Sequence, residues 1–254
     1  MPALLPAETV QDSPRDGAPR TLVTIATYNE RENLPDLVAE ILQQVPSVEI
    51  LVIDDNSPDG TGQWCDERAS DEPRLHCLHR AGKLGLGTAT LAAMQYARDH
   101  EFDLVLNMDA DFSHHPRHIP AMLAAAEGAD VVIGSRYCPG GGVQNWPLGR
   151  RLMSWAVNTY ARLLLGLAPR DTSGAFRCYR TALLEKLDPT QIKSRGYSFQ
   201  EEILWRLKRL DARMVEVPIL FADRERGQSK INRHEALSAL WILFRLGLTN
   251  WLGL

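Results

Sequence analysis

At 254 residues with 44% apolar content, the chain can bury one sizeable core, and its net charge of −4 excludes the broad basic field that nucleic-acid binders use. The four cysteines (Cys65, Cys77, Cys138, Cys178) are widely spaced with no C-x-x-C, which argues for a reduced protein rather than a disulfide framework. Residues 1–20 are rich in Pro, Ala and Asp and lack an apolar segment, so they read as a disordered leader and not a secretory signal; no run reaches the ~18 to 20 apolar residues of a membrane span.

Thr21–Ala26 reads as a first strand, followed by the loop Thr27-Tyr28-Asn29-Glu30. Leu34, Leu37, Val38, Ile41, Leu42 and Val45 then recur at helical spacing. Val48–Asp54 is a second strand, Asp55–Gly60 is dense turn chemistry, and a helix covers Gly62–Ala69. Leu75–His79 is a third strand, Lys83–Gly87 a loop, and Thr88–His100 a helix. Asp103–Asn107 is a short buried strand that ends in Asp109-Ala110-Asp111; a helix follows from Pro116 to Glu127, and Asp130–Gly134 is a fifth strand leading to Ser135-Arg136-Tyr137. Regular alternation of strand and helix predicts an α/β fold with a mostly parallel sheet and helices on both faces. Tyr28, Asp54-Asp55, Asp109/Asp111 and Arg136 all fall at the carboxyl ends of strands, where ligands of such sheets bind.

The second half departs from this rhythm. Pro139–Pro147 is a loop, and Arg150–Leu165 reads as an amphipathic helix with Leu152, Met153, Val157, Tyr160 and Leu164 on one side. A turn at Asp171-Thr-Ser-Gly174 precedes the short strand Ala175–Tyr179, Ser198–Leu210 is a helix, and Met214–Phe221 is strand-like but broken by Pro218. Asp223–Lys230 is a charged loop. From Arg233 onward the chain reads as helical and apolar. With no linker or repeat, the expectation is a catalytic domain over 21–232 and a C-terminal amphipathic interface helix over 233–254.

The pair Asp109/Asp111 offers two hard oxygen donors, which suit Mg²⁺ or Mn²⁺ carrying a diphosphate. Thr27-Tyr-Asn-Glu-Arg-Glu32, Asp54-Asp-Asn-Ser-Pro-Asp-Gly-Thr61 and Met108-Asp-Ala-Asp-Phe-Ser-His-His-Pro116 resemble family 2 glycosyltransferases, and within them the dolichyl-phosphate (polyprenyl-phosphate) mannose synthases. Gly134-Ser-Arg-Tyr137, Asn145-Trp-Pro147 with Arg150 and Ser154, Asp171-Thr-Ser-Gly174 and Arg224-x-x-Gly-x-Ser-Lys230 continue the match in order. One departure is Ala26, where the family usually has proline.

The resemblance implies a nucleotide-sugar transferase fold of the GT-A type and inverting transfer of mannose from GDP-mannose to a polyprenyl (dolichyl) monophosphate. It implies that Tyr28 and Glu30 hold the base and ribose, with Ile53 and Asp55 lining the same pocket. Asp109 and Asp111 would hold the metal, with Ala110 beside the sugar or ribose and Ser113 as a further ligand. His114 and His115 are weighed as ligands too, but histidines at a helix start read as structural. Arg136, Arg150 and Ser154 would take the acceptor phosphate, with Arg136 counted among the catalytic residues alongside Asp109 and Asp111; arginine matches phosphate oxygens bidentately. Arg224 and Lys230 would close a loop over the diphosphate. Gln200, Glu201 and Glu202 open a helix, where negative charge suits the dipole, and read as structural before sugar-contacting.

A phosphate monoester is already mostly dianionic near neutral pH, so no general base is expected. The alternatives are a UDP-glucose or other hexose donor and a nucleotide-sugar-binding subunit without activity; a dehydrogenase is disfavoured because no G-x-G-x-x-G follows the first strand. A prenyl acceptor places the protein on the cytoplasmic face of a membrane, bound peripherally. The uncharged runs Ala236–Phe244 and Leu246–Leu254, with Trp241 and Trp251, suit a helix lying in the interface; a small membrane partner subunit is the other arrangement found among such enzymes.

Overall fold

Strand β1 (Thr21–Thr27) sits between β2 (Glu49–Asp54) and β4 (Leu104–Asp109), parallel to both, and β3 (Leu75–His79) continues the parallel run beyond β2. The structure, a computed structural model, describes residues 17–194, 196, 198–223 and 233–252; the first 16 residues of the expected leader lie outside it. The strands divide their side chains between two cores with the period of two that a pleated strand imposes. Leu22, Leu51, Ile53, Val105 and Val131 face one core, while Val23, Ile25, Val52, Leu106 and Val132 face the other.

The second of these cores is closed by α1 (Leu34–Gln44), α2 (Thr61–Ala69) and α4 (Ile119–Ala126), through Leu34, Leu37, Val38, Ile41, Cys65 and Met122. The first is closed by Ala89, Ala93 and Ala97 of α3 (Leu86–Asp99) and by helices from the second half of the chain. Each Leu or Ile buried this way stabilises the fold by about 1.5–3 kcal/mol, so the twofold pattern alone specifies strand register strongly.

Beyond β4 the chain order and the sheet order separate. The full order is β3-β2-β1-β4-β7-β5-β8, with β5 at Val131–Ser135, β7 at Arg177–Arg180 and β8 at Met214–Pro218. β7 runs antiparallel between β4 and β5, and β5 and β8 run parallel, so the sheet is mostly parallel as expected. The strand-like stretch broken by Pro218 resolves into β8 and β9 (Leu220–Phe221). β9 pairs with β6 (Gly142–Val143), drawing the 139–147 loop onto the same edge.

Helix α5 (Leu148–Leu165) corrects one expectation. Leu152 and Met153, expected on one apolar side with Val157, Tyr160 and Leu164, are each 66% exposed, and the buried positions are Asn158, Ala161 and Leu165. The second half of α5 packs on α8 (Arg233–Leu252): Leu164 lies over Gly247, and Trp251 Nε1 donates to Leu164 O at 3.0 Å. Among the described residues no helix is long and apolar enough to cross a membrane.

The strand β7 leads into the short α6 (Thr181–Leu184) and faces α7 (Phe199–Lys208) across a polar interior. Arg177 is fully buried and donates to the carbonyls of Gln200, at 2.6 Å, and Thr172. Glu202, also fully buried, accepts from the amides of Lys193 and Ser194 and from Arg206, which bears out its structural reading. Glu201 differs: its Oε2 is buried without a hydrogen-bond partner among the described residues, and burial pushes its pKa up to about 7. The folded pKa lies above the ordinary carboxyl value of 4.5, so the folded state holds a proton that the unfolded state loses between about pH 4.5 and 7. Stability should therefore fall as pH rises through that window, by up to about 1.4 kcal/mol per pH unit, and level off above it. Thermal melts should show the Tm of Glu201→Gln gaining on the native chain from pH 4.5 to 7 and running parallel above 7. A difference independent of pH would mean that Glu201 is ionised throughout.

Candidate functional site

Because β7 enters antiparallel, the chain preceding it meets the carboxyl ends of the parallel strands. One edge of the sheet thus gathers Arg80 after β3, Asp54 and Asp55 at β2, Tyr28 after β1, Asp109 and Asp111 at β4, Arg136 after β5, and Asp171 ahead of β7. Three non-glycine residues at these ends, Asn29, Asn56 and Phe112, have φ of 62°, 57° and 59°. Asparagine tolerates the left-handed region; phenylalanine adopts it at a cost, and such local strain concentrates at sites where side chains must be aimed.

The neighbouring carboxylates at β2 have different tasks. Asp54 is buried and accepts from Thr27 Oγ1 at 3.1 Å and Ser57 Oγ at 2.5 Å, which joins the ends of β1 and β2. Asp55 turns to Arg80, with Oδ1 2.8 Å from Nε. That contact lies off hydrogen-bond geometry, so both atoms are buried without a directed partner. Burial raises the Asp55 pKa, with Arg80 opposing and Asp54 adding to the rise. Half-buried Tyr28 lies under the Lys83 ammonium, 5.0 Å from its ring centroid. Glu30 Oε2 accepts from Asn33 Nδ2 at 2.9 Å, holding the start of α1. Ile53 does not line this pocket with its side chain as expected: it is 1% exposed and belongs to the core, because strand alternation turns it inward.

At the end of β4 the Asp109 side chain is 32% exposed, while Asp111 is buried. Asp111 Oδ1 accepts from Ser113 N at 3.1 Å and from Ser113 Oγ at 2.5 Å. Ser113 is 2% exposed and aims its hydroxyl at Asp111, so it orients that carboxylate. Ala110 is buried between the two acids. The acids provide oxygen donors only, which fits a hard divalent cation. His114 Nδ1 accepts from Asp109 N–H at 3.1 Å, and its ring stacks on Phe176 at 5.0 Å. Burial lowers its pKa, so it is a neutral, structural histidine. His115 accepts from Arg117 N at the start of the following turn and contacts Glu40 at 3.2 Å.

Arg136 is committed more deeply than the sequence indicates. Its Nε and Nη2 donate to the two oxygens of Asp171, each at 2.7 Å, and Nη2 also reaches Ser173 Oγ at 2.9 Å. Burial works against the Asp171 carboxylate, but the charge and hydrogen bonds of Arg136 outweigh it and hold the pKa below the usual value. The bidentate grip expected on phosphate is therefore taken by Asp171. Nη1 is left as the Arg136 nitrogen with no hydrogen bond among the described residues.

Trp146 is the organising aromatic: Arg150 lies 4.1 Å from its ring centroid and Arg136 5.7 Å. Its own Nε1 is buried without a hydrogen-bond partner among the described residues. Arg150 Nη1 pairs with Asp223 at 2.7 Å, and Ser154 Oγ accepts from Tyr137 Oη at 2.7 Å. The expected trio Arg136, Arg150 and Ser154 is thus brought together, through Trp146 and Tyr137. Arg224 and Lys230 lie outside the described residues.

Sequence reasoning missed Arg80, Lys83 and the charge partner Asp171. Asp171 lay in a quoted motif, and its turn is pinned by Asn158 Oδ1, which accepts from Thr172 N at 2.7 Å and Ser173 N at 3.1 Å. Arg80 and Lys83 carried no local signal beyond a basic residue in a loop.

Residues 22–188 match the glycosyl transferase family 2 pattern. The chain is 44% identical over 236 residues to an undecaprenyl-phosphate mannosyltransferase of Micrococcus luteus, covering 92% of this chain and 97% of that protein. It is 43% identical over 251 residues to a polyprenol monophosphomannose synthase of Mycolicibacterium smegmatis, covering 96% and 95%. Its fold is similar to the crystal structure of glucosyl-3-phosphoglycerate synthase from Mycobacterium tuberculosis in complex with Mn²⁺, UDP and glucosyl-3-phosphoglycerate. That likeness has a TM-score of 0.60 at 20% identity and covers 91% of this chain and 80% of the other. A GT-A-type sheet with an acidic pair at the end of its central strand, and a family pattern over most of the chain, establish this protein as a glycosyltransferase of family 2.

Proposed function

We propose that this glycosyltransferase moves a mannosyl group from GDP-mannose to a polyprenyl monophosphate, with inversion at the anomeric carbon. The observation that carries the proposal is the pairing of an acidic strand end, Asp109/Asp111, with two arginines gathered on Trp146. The names of both relatives, at 43–44% identity over nearly whole chains, support the sugar and the acceptor class. Tyr28, Lys83, Asp55 and Arg80 supply a stacking surface and hydrogen-bonding groups for a base. Asp109 and Asp111 would hold Mg²⁺ or Mn²⁺, which when bound supplies positive charge to the leaving diphosphate. Arg136 Nη1, Arg150 and Ser154 orient an acceptor phosphate. That acceptor is its own nucleophile, which accords with the neutral His114 being tied to the Asp109 backbone.

The lipid acceptor places the protein at a membrane, on its cytoplasmic face. Trp241, Phe244, Leu248 and Trp251 on α8 are exposed, and so are Leu148, Leu152, Trp155 and Leu163 on α5. The α5 positions recur at helical spacing, so they form one stripe, and the packing of α5 on α8 sets two apolar surfaces side by side. Peripheral insertion of these faces among headgroups suits their tryptophans.

Asp111→Asn should abolish transfer and weaken donor binding only when divalent metal is present. Equal weakening in excess chelator would remove the metal role. Arg150→Ala should raise the acceptor KM about tenfold or more, from a lost charged hydrogen bond of about 1.5–3 kcal/mol, while Arg151→Ala, whose Nη2 donates to Val143 O at 3.3 Å, should leave it unchanged. Equal acceptor KM in the two variants would remove Arg150 from the phosphate site. Trp155→Ser with Trp241→Ser should shift the protein from liposome pellet to supernatant with unchanged Tm. Retained sedimentation would place the membrane contact elsewhere, and a large loss of Tm would make these faces packing surfaces for a partner subunit or second copy.

A further inference from the structure

Outside the cleft, α2 and the edge strand β3 bring three donors of different chemistry together. Asp66 comes from the helix. Cys77 and His79, two residues apart, share one face of the strand. Among the described residues their ligand atoms all come within 4.8 Å of one another. His79 Nε2 is 2.9 Å from Asp66 Oδ1, and these side chains are 49% and 60% exposed, so an ion can enter from solvent. Gly62 makes room for the ring: a Cβ there would lie 3.1 Å from His79 Cε1.

A surface His–Asp pair is ordinary by itself, and the sulfur changes its chemistry. Imidazole, carboxylate and thiolate together suit a borderline ion, while Mg²⁺ prefers oxygen alone. A thiolate adds a soft donor that neither the carboxylate nor the imidazole supplies. Four-coordinate zinc with nitrogen and oxygen bonds near 2.1 Å separates those donors by about 3.4 Å, so the Asp66–His79 contact of 2.9 Å would have to open by about half an ångström.

We propose that Asp66, Cys77 and His79 form a second metal site, for an ion of the zinc class, with a fourth position open to water. Binding displaces the Cys77 proton and any proton on His79, whose pKa the hydrogen bond to Asp66 raises; affinity therefore rises with pH until both are deprotonated. The ion clamps α2 to the edge strand. The next residue after His79 is Arg80, which reaches Asp55, so the clamp steadies the outer wall of the base pocket without touching a substrate.

The probe is Co²⁺ added to the reduced, metal-stripped full chain. A saturable thiolate-to-cobalt charge-transfer band at one equivalent is expected, displaced by stoichiometric Zn²⁺. It should persist in Asp109→Asn/Asp111→Asn, vanish in Cys77→Ser, and need at least tenfold more Co²⁺ in His79→Gln. Zn²⁺ should raise the Tm of the native chain and not that of His79→Gln. Asp66→Asn, an exposed change on a helix, gives a second check that does not depend on altering the partly buried sulfur: it should keep the band with at least tenfold weaker affinity. Absence of the band, its persistence in Cys77→Ser, its loss in the Asp109/Asp111 variant, or saturation only in large molar excess would overturn the site.

Discussion

The buried ion pair between Arg136 and Asp171 is the constraint on which the second half of the molecule depends. Asp171 is fully buried and accepts from the Arg136 backbone, from its guanidinium and from Gly174 N at 3.0 Å, while its own amide donates to Glu216 at 2.9 Å. One residue therefore joins the end of β5 and the turn before β7 through its carboxylate, and the neighbouring strand β8 through its amide. Breaking such a pair by removing one partner costs roughly 3–5 kcal/mol, because the remaining charge stays buried and unpaired. The same contact decides what Arg136 can do: its fork is held in place, and a ligand meets a fixed cation with one nitrogen to offer.

Much of the cleft is built in this indirect way. Ser113 holds Asp111, His114 holds the backbone of Asp109, and Asn158 holds the turn that carries Asp171. Residues held by packing and hydrogen bonds are pre-organised, so less ordering remains to be done when a charged ligand arrives. The opposite holds for Gln200 and Trp146, whose buried side-chain polar atoms lack partners among the described residues. A buried polar group left unsatisfied costs about 1–3 kcal/mol, which makes both natural contacts for water or substrate.

The apolar surfaces of α5 and α8 follow from the same economy of packing. α8 completes the core with Leu243 and Leu246 and shows Trp241, Phe244 and Trp251 outward. A helix apolar on two sides needs two apolar environments. The protein core supplies one, and the membrane contact proposed above is the candidate for the other.

The amino-acid pattern by itself determined the α/β class, the positions of the first five strands to within a residue or two, and the gathering of Tyr28, Asp55, Asp109, Asp111 and Arg136 at strand ends. These are local properties: period two or 3.6, turn residues, and acids at the end of an apolar run. Tertiary structure alone decided that β7 enters antiparallel between β4 and β5, that Ile53 points into the core and Leu152 away from it, and that Asp54 is structural while its neighbour Asp55 turns to Arg80. It also decided that Asp171 takes the fork of Arg136, 35 residues away. The physical reason is common to all of them. Which polar group meets which, and which face finds a partner, depends on elements distant in sequence, and no periodicity within one element carries that information.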